Sequence, residues 1–410
     1  MSDAEAARSL LSAAAVRERA HEMLAAGLAD KLSHFSVDLA RLPAAADFVA
    51  RVIRENYPSL EVPFHARWRH FVVGDRDLWA ERAAATRWPN VAARARAEFD
   101  LAIVSVLLDA GAGMAWRYRD AATGTEIDRS EGLALASLRM FEAGAFSSNA
   151  NDPLRADAAR LASLTADDIA RGFQVTRDNP LVGLEGRAAL LARLGTAVAA
   201  SAAVFGRADA ARPGGLYDQL AAEASSGALP APRILAALLE NLGPIWPGRL
   251  TLGGLSLGDT WRHPAIRRPD ATDGLVPFHK LSQWLSYSLI EPLQWSGIEV
   301  TDIDGLTGLA EYRNGGLFVD AGVIALRDPA EAQRPNAVDS ALVVEWRALT
   351  IALLDRLAPL VRERLGVTAE AFPLARVLEG GTWAAGRRLA RDKRADGGPP
   401  IAVKSDGTVF

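Results

Sequence analysis

Two acidic residues stand in surroundings that could make their carboxylates chemically active. Asp259 follows Gly258, and a glycine at that place would let a substrate approach the acid closely. Glu345 has Leu342 three residues before it and Leu349 four residues after it, so on a helix it would share an apolar face with them. A carboxylate in apolar surroundings needs a partner or has a raised pKa, so both residues are candidates for acid–base chemistry.

Each carboxylate also has a purely structural interpretation. Asp259 could cap the N-terminus of a helix, where acids accept hydrogen bonds from free backbone N–H groups. Glu345 could form an internal ion pair with an arginine. Arg347 cannot be that partner by direct contact, because residues two apart on a helix point about 200° away from each other. The catalytic interpretation makes Asp259 a general base or a carboxylate that stabilises an oxocarbenium ion.

The stretch from Val276 to Asp320 predicts the wall and floor of a pocket. Apolar residues recur there at spacings of three and four, which predicts a helix with one apolar face: Phe278, Leu281, Leu285 and Leu289. Trp284 and Tyr287 lie beside that face, and Pro292 is expected to end the helix because proline lacks an N–H. Trp68, Trp261 and Trp284 could stack on a base, although a core role is the commoner use of tryptophan.

Two glycine-containing stretches could hold a phosphate group. Gly380, Gly381 and Thr382 are expected to begin a helix, where free N–H groups and the helix dipole favour anions. Arg313, followed by Asn314, Gly315 and Gly316, is expected to form a turn that offers a cation and backbone donors. Plain turn chemistry explains either stretch equally well. The later cations are expected to form a solvated helix face: Arg387, Arg388, Arg391, Lys393 and Arg394.

Composition and missing motifs exclude several classes of function. The 410 residues carry a net charge of −4, which argues against a nucleic-acid binder with a basic face. There is no cysteine, and there is no phosphate-loop, H-E-x-x-H or G-x-S-x-G motif. We therefore expect no metal and no cofactor. The N-terminus lacks a signal-peptide pattern, and the most apolar run, residues 188–205, is expected to be a buried helix in a cytoplasmic protein.

The hydrophobic periodicity predicts a mainly α, multi-helical protein with small β-hairpin insertions. One hairpin is expected near residues 114–127, and another in the tail around Asp406-Gly407. Pro213-Gly214-Gly215 is the best candidate hinge. It divides an N-terminal helical region, 1–212, from a C-terminal region, 213–410, that carries most of the site motifs, and the two are expected to form one continuous globular unit.

Long motifs distributed over nearly the whole chain resemble the uracil-catabolism protein family, which is associated with pyrimidine degradation in fungi and bacteria. The matching segments are FHARWRHF (64–71), SVLLDAGAG (105–113), PIWPGR (244–249), PFHKLSQWLSYSLIEPL (277–293), LTGLAEYRNGGLFVD (306–320), VVEWRALT (343–350), EGGTWAAGRR (379–388) and SDGTVF (405–410). The resemblance implies a role in a route that takes uracil through its ribonucleotide, opens the ring and releases urea.

A partial resemblance to the queuosine-salvage nucleotide glycosidases suggests a mechanism. The similar residues occur in the order His34-Phe35-Ser36, Gly258-Asp259-Thr260-Trp261, Ser286-Tyr287, Asp339 and Val344-Glu345-Trp346-Arg347. Those enzymes are helical, resemble DNA glycosylases, and cleave an N-glycosidic bond with an aspartate that Asp259 matches. Two positions depart from the pattern: Gly258 replaces an alanine, and Ser286 stands where a second aspartate is expected. At these two positions we expect the substrate and the acid–base details to differ from those of the queuosine-salvage enzymes.

The resemblances imply a DNA-glycosylase-like helical core and a nucleotide N-glycosidase whose substrate is a ribosyl-urea-type or related 5′-phosphate. The catalytic candidates are Asp259 and Glu345; the substrate-binding candidates are His34, Phe35, Trp261, His279, Trp284, Tyr287, Arg313 and Arg347. Phosphate would bind at Gly315, Gly316, Gly380, Gly381 and Thr382. Two alternatives stay open: another enzyme of the same route, either an amide hydrolase or a phosphoribosyltransferase, and a non-catalytic nucleotide-binding protein. The expected partner is a small nucleotide, with no nucleic acid or membrane.

Overall fold

A computed structural model of the chain describes residues 2–109, 111–113, 115–207, 210–246 and 249–404. The α-helices are α1 Asp3–Leu10, α2 Ala13–Leu28, α3 Leu42–Asn56, α4 Leu78–Ala85, α5 Val91–Leu107, α6 Arg129–Glu142, α7 Ala158–Ala162, α8 Ala166–Gly172, α9 Leu184–Ala200, α10 Ala202–Phe205, α11 Gly215–Glu223, α12 Ala231–Leu242, α13 Lys280–Trp295, α14 Tyr312–Asp320, α15 Ala341–Leu365, α16 Leu374–Val377 and α17 Trp383–Lys393. A π-helical turn, Leu378–Thr382, joins α16 to α17. The prediction of a mainly α protein is confirmed.

The strands of the described residues are short and pair two by two. They are β1 Phe35–Val37, β2 Val72–Val73, β3 Arg76–Asp77, β4 Tyr118–Arg119, β5 Glu126–Ile127, β6 Ala228–Pro230, β7 Thr251–Leu252, β8 Leu255–Ser256, β9 Thr260–Arg262, β10 Leu275–Pro277, β11 Glu299–Thr301, β12 Ile324–Leu326, β13 Asn336–Ala337 and β14 Val403–Lys404. β4 and β5 form the hairpin expected near 114–127. The hairpin expected around Asp406-Gly407 lies outside the described residues.

The described chain groups into two compact units, each assembled from separate segments. Unit 1 contains residues 1–65, 248–284 and 302–410, and unit 2 contains residues 66–247 and 285–301. Residues on both sides of Pro213 belong to unit 2, so the candidate hinge does not separate the units. The helix α13 contributes residues 280–284 to unit 1 and the rest to unit 2.

Unit 1 is built around the long helix α15. Every residue from Leu342 to Leu354 is buried, so the helix is enclosed on all sides by α2, α3, α14 and their neighbours. Ser340 caps its N-terminus, and Gly366 ends it in the left-handed conformation at φ 73°. Pro359 lies inside the helix, which continues past it. This enclosure explains how one helix carries Glu345 and Arg347 into the interior.

Unit 2 is built around α5. Every residue from Ala97 to Leu107 is buried, as the apolar second half of this helix predicts. The buried carboxylate of Asp100 accepts hydrogen bonds from Arg212 and from the backbone N–H groups of Ala156 and Gly214. The buried carboxylate of Asp100 therefore has all three of these hydrogen-bond partners within unit 2.

Three local predictions are wrong. Pro292 lies inside α13 and does not end it. The stretch expected as a turn is the helix α14, which Glu311 caps with its carboxylate, and it contains Gly315 and Gly316. The glycines expected to open the last helix lie within the π-helical turn that α16 precedes, so they have no free helix N-terminus. In the two glycine stretches, close contacts with distant residues such as Trp346 and Val49 override the local signal of glycine.

Candidate active site

Asp259 is positioned by the hairpin of β9 and β10. Gly258 takes the left-handed conformation at φ 58°, which turns the chain so that Asp259 directly precedes β9. β9 pairs with β10 in the register Thr260 to Pro277, and α13 begins three residues after Pro277. The start of α13 consequently lies beside the Asp259 carboxylate.

The carboxylate of Asp259 accepts four hydrogen bonds, two on each oxygen. Oδ1 accepts from Trp261 Nε1 at 2.7 Å and from Arg347 Nη1 at 2.8 Å. Oδ2 accepts from the backbone N–H of Lys280 at 3.0 Å and from Arg347 Nη2 at 2.7 Å. Since a carboxylate has about four lone-pair sites, these donors use its acceptor capacity. The side chain is also buried, at 7% exposure.

Arg347 is fixed as firmly as the carboxylate that it binds. Its guanidinium lies 4.1 Å from the centre of the Phe278 ring, and its Nε donates to the carbonyl of Ala310 at 3.4 Å. Burial raises the pKa of Asp259, but the charges and hydrogen bonds of Arg347 outweigh it, so the pKa lies well below the ordinary value of 3.8. Asp259 is therefore ionised throughout the physiological range and has little affinity for a proton.

His279 lies next to this ion pair in a strained backbone conformation. Its φ is 48°, which is unusual for a residue with a side chain. Its Nε2 lies 2.9 Å from the carbonyl of Leu10, which assigns the proton to Nε2. The Nδ1 atom is buried, has no hydrogen-bond partner within the described residues, and faces Gly258. Burial lowers the pKa of His279, so the ring is neutral and Nδ1 is an acceptor.

Glu345 binds a different set of partners. Its carboxylate accepts the backbone N–H groups of Ser33, His34 and Phe35 at 3.1 to 3.2 Å, and His263 Nε2 lies 3.3 Å from its Oε1. The expected burial of Glu345 is confirmed, but its partners are backbone donors and a histidine where an arginine was expected. This carboxylate holds the segment before and at the start of β1 against α15, which occupies the oxygens that chemistry would need.

Other predicted substrate-binding residues take part in ion pairs or in packing. The ring of His34 binds Glu331 through Nδ1 at 3.0 Å, and Phe35 is fully buried. Arg313 bonds to the carbonyl of Gly397 at 3.1 Å and lies over the Tyr312 ring, so it stabilises the packing around α14. Tyr287 belongs to unit 2, whereas the other predicted substrate-binding residues belong to unit 1.

The glycines expected to bind phosphate are helix-packing positions. A Cβ at Gly315 would lie 2.7 Å from Trp346 Nε1, and one at Gly381 would lie 2.7 Å from Val49 Cγ1. Gly316 and Gly380 face Pro400 and Val62 in the same way, and Thr382 Oγ1 bonds to Asn314. Neither stretch presents a turn or a free helix terminus, so the geometric basis for a phosphate site at these residues is removed.

A second polar cluster in unit 1 was not predicted from the sequence. His65 Nδ1 lies 2.6 Å from Glu379 Oε2, and the His65 ring centre lies 6.3 Å from that of Trp284 and 6.4 Å from that of Trp383. Glu311 is buried and accepts the N–H groups that begin α14. The only sequence signal was that His65, Glu311 and Glu379 each lie in one of the long family-like motifs.

The pKa of Glu311 is shifted in the opposite direction from the pKa of Asp259. Burial raises the pKa of Glu311, and the hydrogen bonds from Arg313 N and Asn314 N, with the charges of Lys280 and His65, only partly offset it. Lys280 connects the two places, because its backbone N–H binds Asp259 while its side-chain charge acts on Glu311. The pKa of one carboxylate is lowered and the pKa of the other is raised, a division found in acid–base sites.

The comparisons with known proteins define the family. A family model described as a protein of unknown function (DUF1688) matches residues 9–410, and the chain belongs to this family. The protein is 40% identical over 418 residues to "Protein urg3" of Schizosaccharomyces pombe, an alignment that covers 99% of both chains. It is also 38% identical over 412 residues to "Uracil catabolism protein 4" of Lachancea kluyveri, with 92% of each chain covered. The resemblance to the uracil-catabolism family is thereby confirmed.

The described residues show neither a metal-binding cluster nor a membrane-spanning helix. No group of three or more histidine or acidic side chains in these ranges is arranged to hold a metal ion. No helix among them combines the length and the apolar character needed to cross a bilayer.

Proposed function

We propose that this protein is an enzyme of uracil catabolism, and that it hydrolyses the N-glycosidic bond of a ribosyl-urea-type nucleotide 5′-phosphate. The pathway is taken from the name of the Lachancea kluyveri relative, which matches 92% of its own length. The reaction is supported by one observation: a buried carboxylate, Asp259, is kept ionised among aromatic side chains. Positive charge develops at C1′ when an N-ribosyl bond breaks, and a fixed carboxylate would stabilise it.

The hydrogen bonds of Asp259 restrict its role in this reaction. Because its lone-pair sites are used and its pKa is depressed, Asp259 would act through its charge and would not take a proton from water. The general-base interpretation is therefore dropped and the stabilising interpretation is kept. Glu311, whose pKa is raised by burial, is suited to protonate the leaving nitrogen.

The full hydrogen bonding of the Asp259 carboxylate also supports a second candidate function. A buried carboxylate that accepts four hydrogen bonds resembles an internal structural pair, as expected in a non-catalytic nucleotide-binding protein. Such a protein would be stabilised by the nucleotide but would release no product.

Replacing Asp259 by Asn distinguishes the two functions. We expect Asp259→Asn to lower kcat by about 10² to 10³, because the amide cannot stabilise the developing charge. Breaking the pair with Arg347 should also cost about 3–5 kcal/mol of stability, so turnover is measured at a temperature where circular dichroism shows the variant folded. The matched control is Asp47→Asn, which removes an exposed partner of Arg364. Full turnover by folded Asp259→Asn would exclude a catalytic role for this carboxylate.

A further inference from the structure

Four histidines of the described residues lie beside a carboxylate, and one of these pairs differs from the others. His21 lies 2.9 Å from Asp355 with 35% of its side chain exposed, and His34 lies 3.0 Å from Glu331 with 24% exposed. His263 lies 3.3 Å from Glu345, whose carboxylate already accepts hydrogen bonds from three backbone N–H groups. His65 makes the shortest contact, 2.6 Å to Glu379, and is buried between two tryptophans.

We propose that His65, oriented by Glu379, is the general base that activates the attacking water, and that the catalytic water of the proposed glycosidase binds at its Nε2. This inference rests on the proposed function. Glu379 binds Nδ1 of the ring, and the backbone N–H of His65 donates to the carbonyl of Ala375, so the residue is held at one point on its ring and one on its backbone. Nε2 remains the nitrogen for a ligand, in the base-plus-orienting-carboxylate arrangement of hydrolases.

The surroundings of His65 connect it to Asp259. Trp284 follows Lys280 by one helical turn on α13, so the two side chains share a face of that helix. Two acidic groups near the imidazole come from other elements: Glu379 from the π-helical turn and Glu311 from the start of α14. Arg387 lies 4.7 Å from the ring centre of Trp383, which in turn neighbours His65. The imidazole therefore lies in the same polar cluster as the acid Glu311.

The proposed step balances without a cofactor. His65 Nε2 takes a proton from water as the water oxygen bonds to C1′ of the ribose. The C1′–N bond breaks and its electron pair goes to the nitrogen of the urea fragment, which receives the proton of Glu311. Solvent then carries a proton from His65 to Glu311. The products are ribose 5-phosphate and urea, and Asp259 remains ionised throughout.

Three variants test the dyad in the full-length protein. His65→Gln should lower kcat by about 10² to 10⁴ with KM little changed. Glu379→Gln should lower kcat less, by about 10-fold. It should also move the acidic limb of the kcat–pH profile to lower pH, because the imidazolium loses the carboxylate that stabilises its positive charge. A merely structural Glu379 would lower kcat without moving that limb. His21→Gln, which removes the imidazole of the comparable pair with Asp355, should leave the profile unchanged.

The outcomes separate this inference from the proposed function. If the wild type releases ribose 5-phosphate but His65→Gln turns over at the wild-type rate, or the acidic limb stays in place in Glu379→Gln, the dyad is overturned and the glycosidase stands. If the wild type releases nothing, ¹⁵N NMR of the histidines with added ribose 5-phosphate decides. Movement of the Nε2 signal that is missing in His65→Gln supports a ligand at the dyad, and an unmoved signal overturns it.

Discussion

Asp259 and Glu345 are both buried carboxylates whose functions are set by their partners. Asp259 meets a guanidinium in a two-point contact, an indole N–H and one backbone N–H. Glu345 accepts three consecutive backbone N–H groups and meets His263. The first arrangement fixes a negative charge beside aromatic side chains, while the second anchors a chain segment. Burial alone, which the apolar neighbours of Glu345 predict, does not distinguish these roles.

The stability that Asp259 contributes should depend on pH. Its folded-state pKa is lowered from 3.8, so the contribution is fully present above about pH 4 and is lost as the pH falls toward the folded-state pKa. We expect the difference in unfolding free energy between the wild type and Asp259→Asn to be smaller by about 1 kcal/mol at pH 3 than at pH 7. Urea unfolding at both pH values measures it, and an equal difference at both would contradict the depressed pKa.

Glu345→Gln tests the anchoring role. An amide keeps one acceptor oxygen but loses the charge and the second acceptor, so a backbone N–H of the Ser33–Phe35 segment would stay buried without a partner. We expect a loss of about 1–3 kcal/mol in the free energy of unfolding, measured by urea denaturation. Glu363→Gln on the same helix is the control, because its side chain is 76% exposed, and it should change stability by less than about 0.5 kcal/mol. Equal effects of the two changes would refute the anchoring role.

At the scale of elements, glycines determine how closely helices approach. α14 and α17 pack together where Gly386 meets the carbonyl oxygen of Arg313, with no room for a Cβ. The π-helical turn presses Gly380 and Gly381 against α3 and the residues that follow it. These contacts join segments far apart in sequence. A local inspection of glycine-rich motifs therefore predicted turns and phosphate loops where the fold uses glycine for close packing.

A pair of Gly→Ala changes tests this packing. Gly386→Ala should destabilise the protein by about 1–3 kcal/mol, because backbone must shift to admit the methyl group. Gly186 in α9 is exposed, and a Cβ there meets no atom within 4 Å, so Gly186→Ala should be neutral or stabilising by up to about 1 kcal/mol. Thermal unfolding compares the two variants. Equal thermal-unfolding midpoints of the two variants would show that the close approach at Gly386 does not affect stability.

At the scale of the whole molecule, much of the fold is predictable from periodicity but its assembly is not. The apolar runs of α5 and α15 predict central helices, and both are buried as expected. Each compact unit combines segments that the other unit interrupts in the sequence, and no local pattern encodes that grouping. The site behaves in the same way: Asp259 and Trp261 are close in sequence and could be predicted together. His65 and Glu379 meet across 314 positions and could not.

The most direct test of the account is product release by the wild-type protein. The ring-opened, ribosyl-urea 5′-phosphate form of uridine monophosphate is incubated with the pure enzyme in buffer free of phosphate and pyrophosphate, and the mixture is analysed by mass spectrometry. The account predicts stoichiometric ribose 5-phosphate and urea, with the rate lost in folded Asp259→Asn. An intact nucleotide that raises the melting temperature without being cleaved would contradict hydrolysis and would favour a nucleotide-binding function.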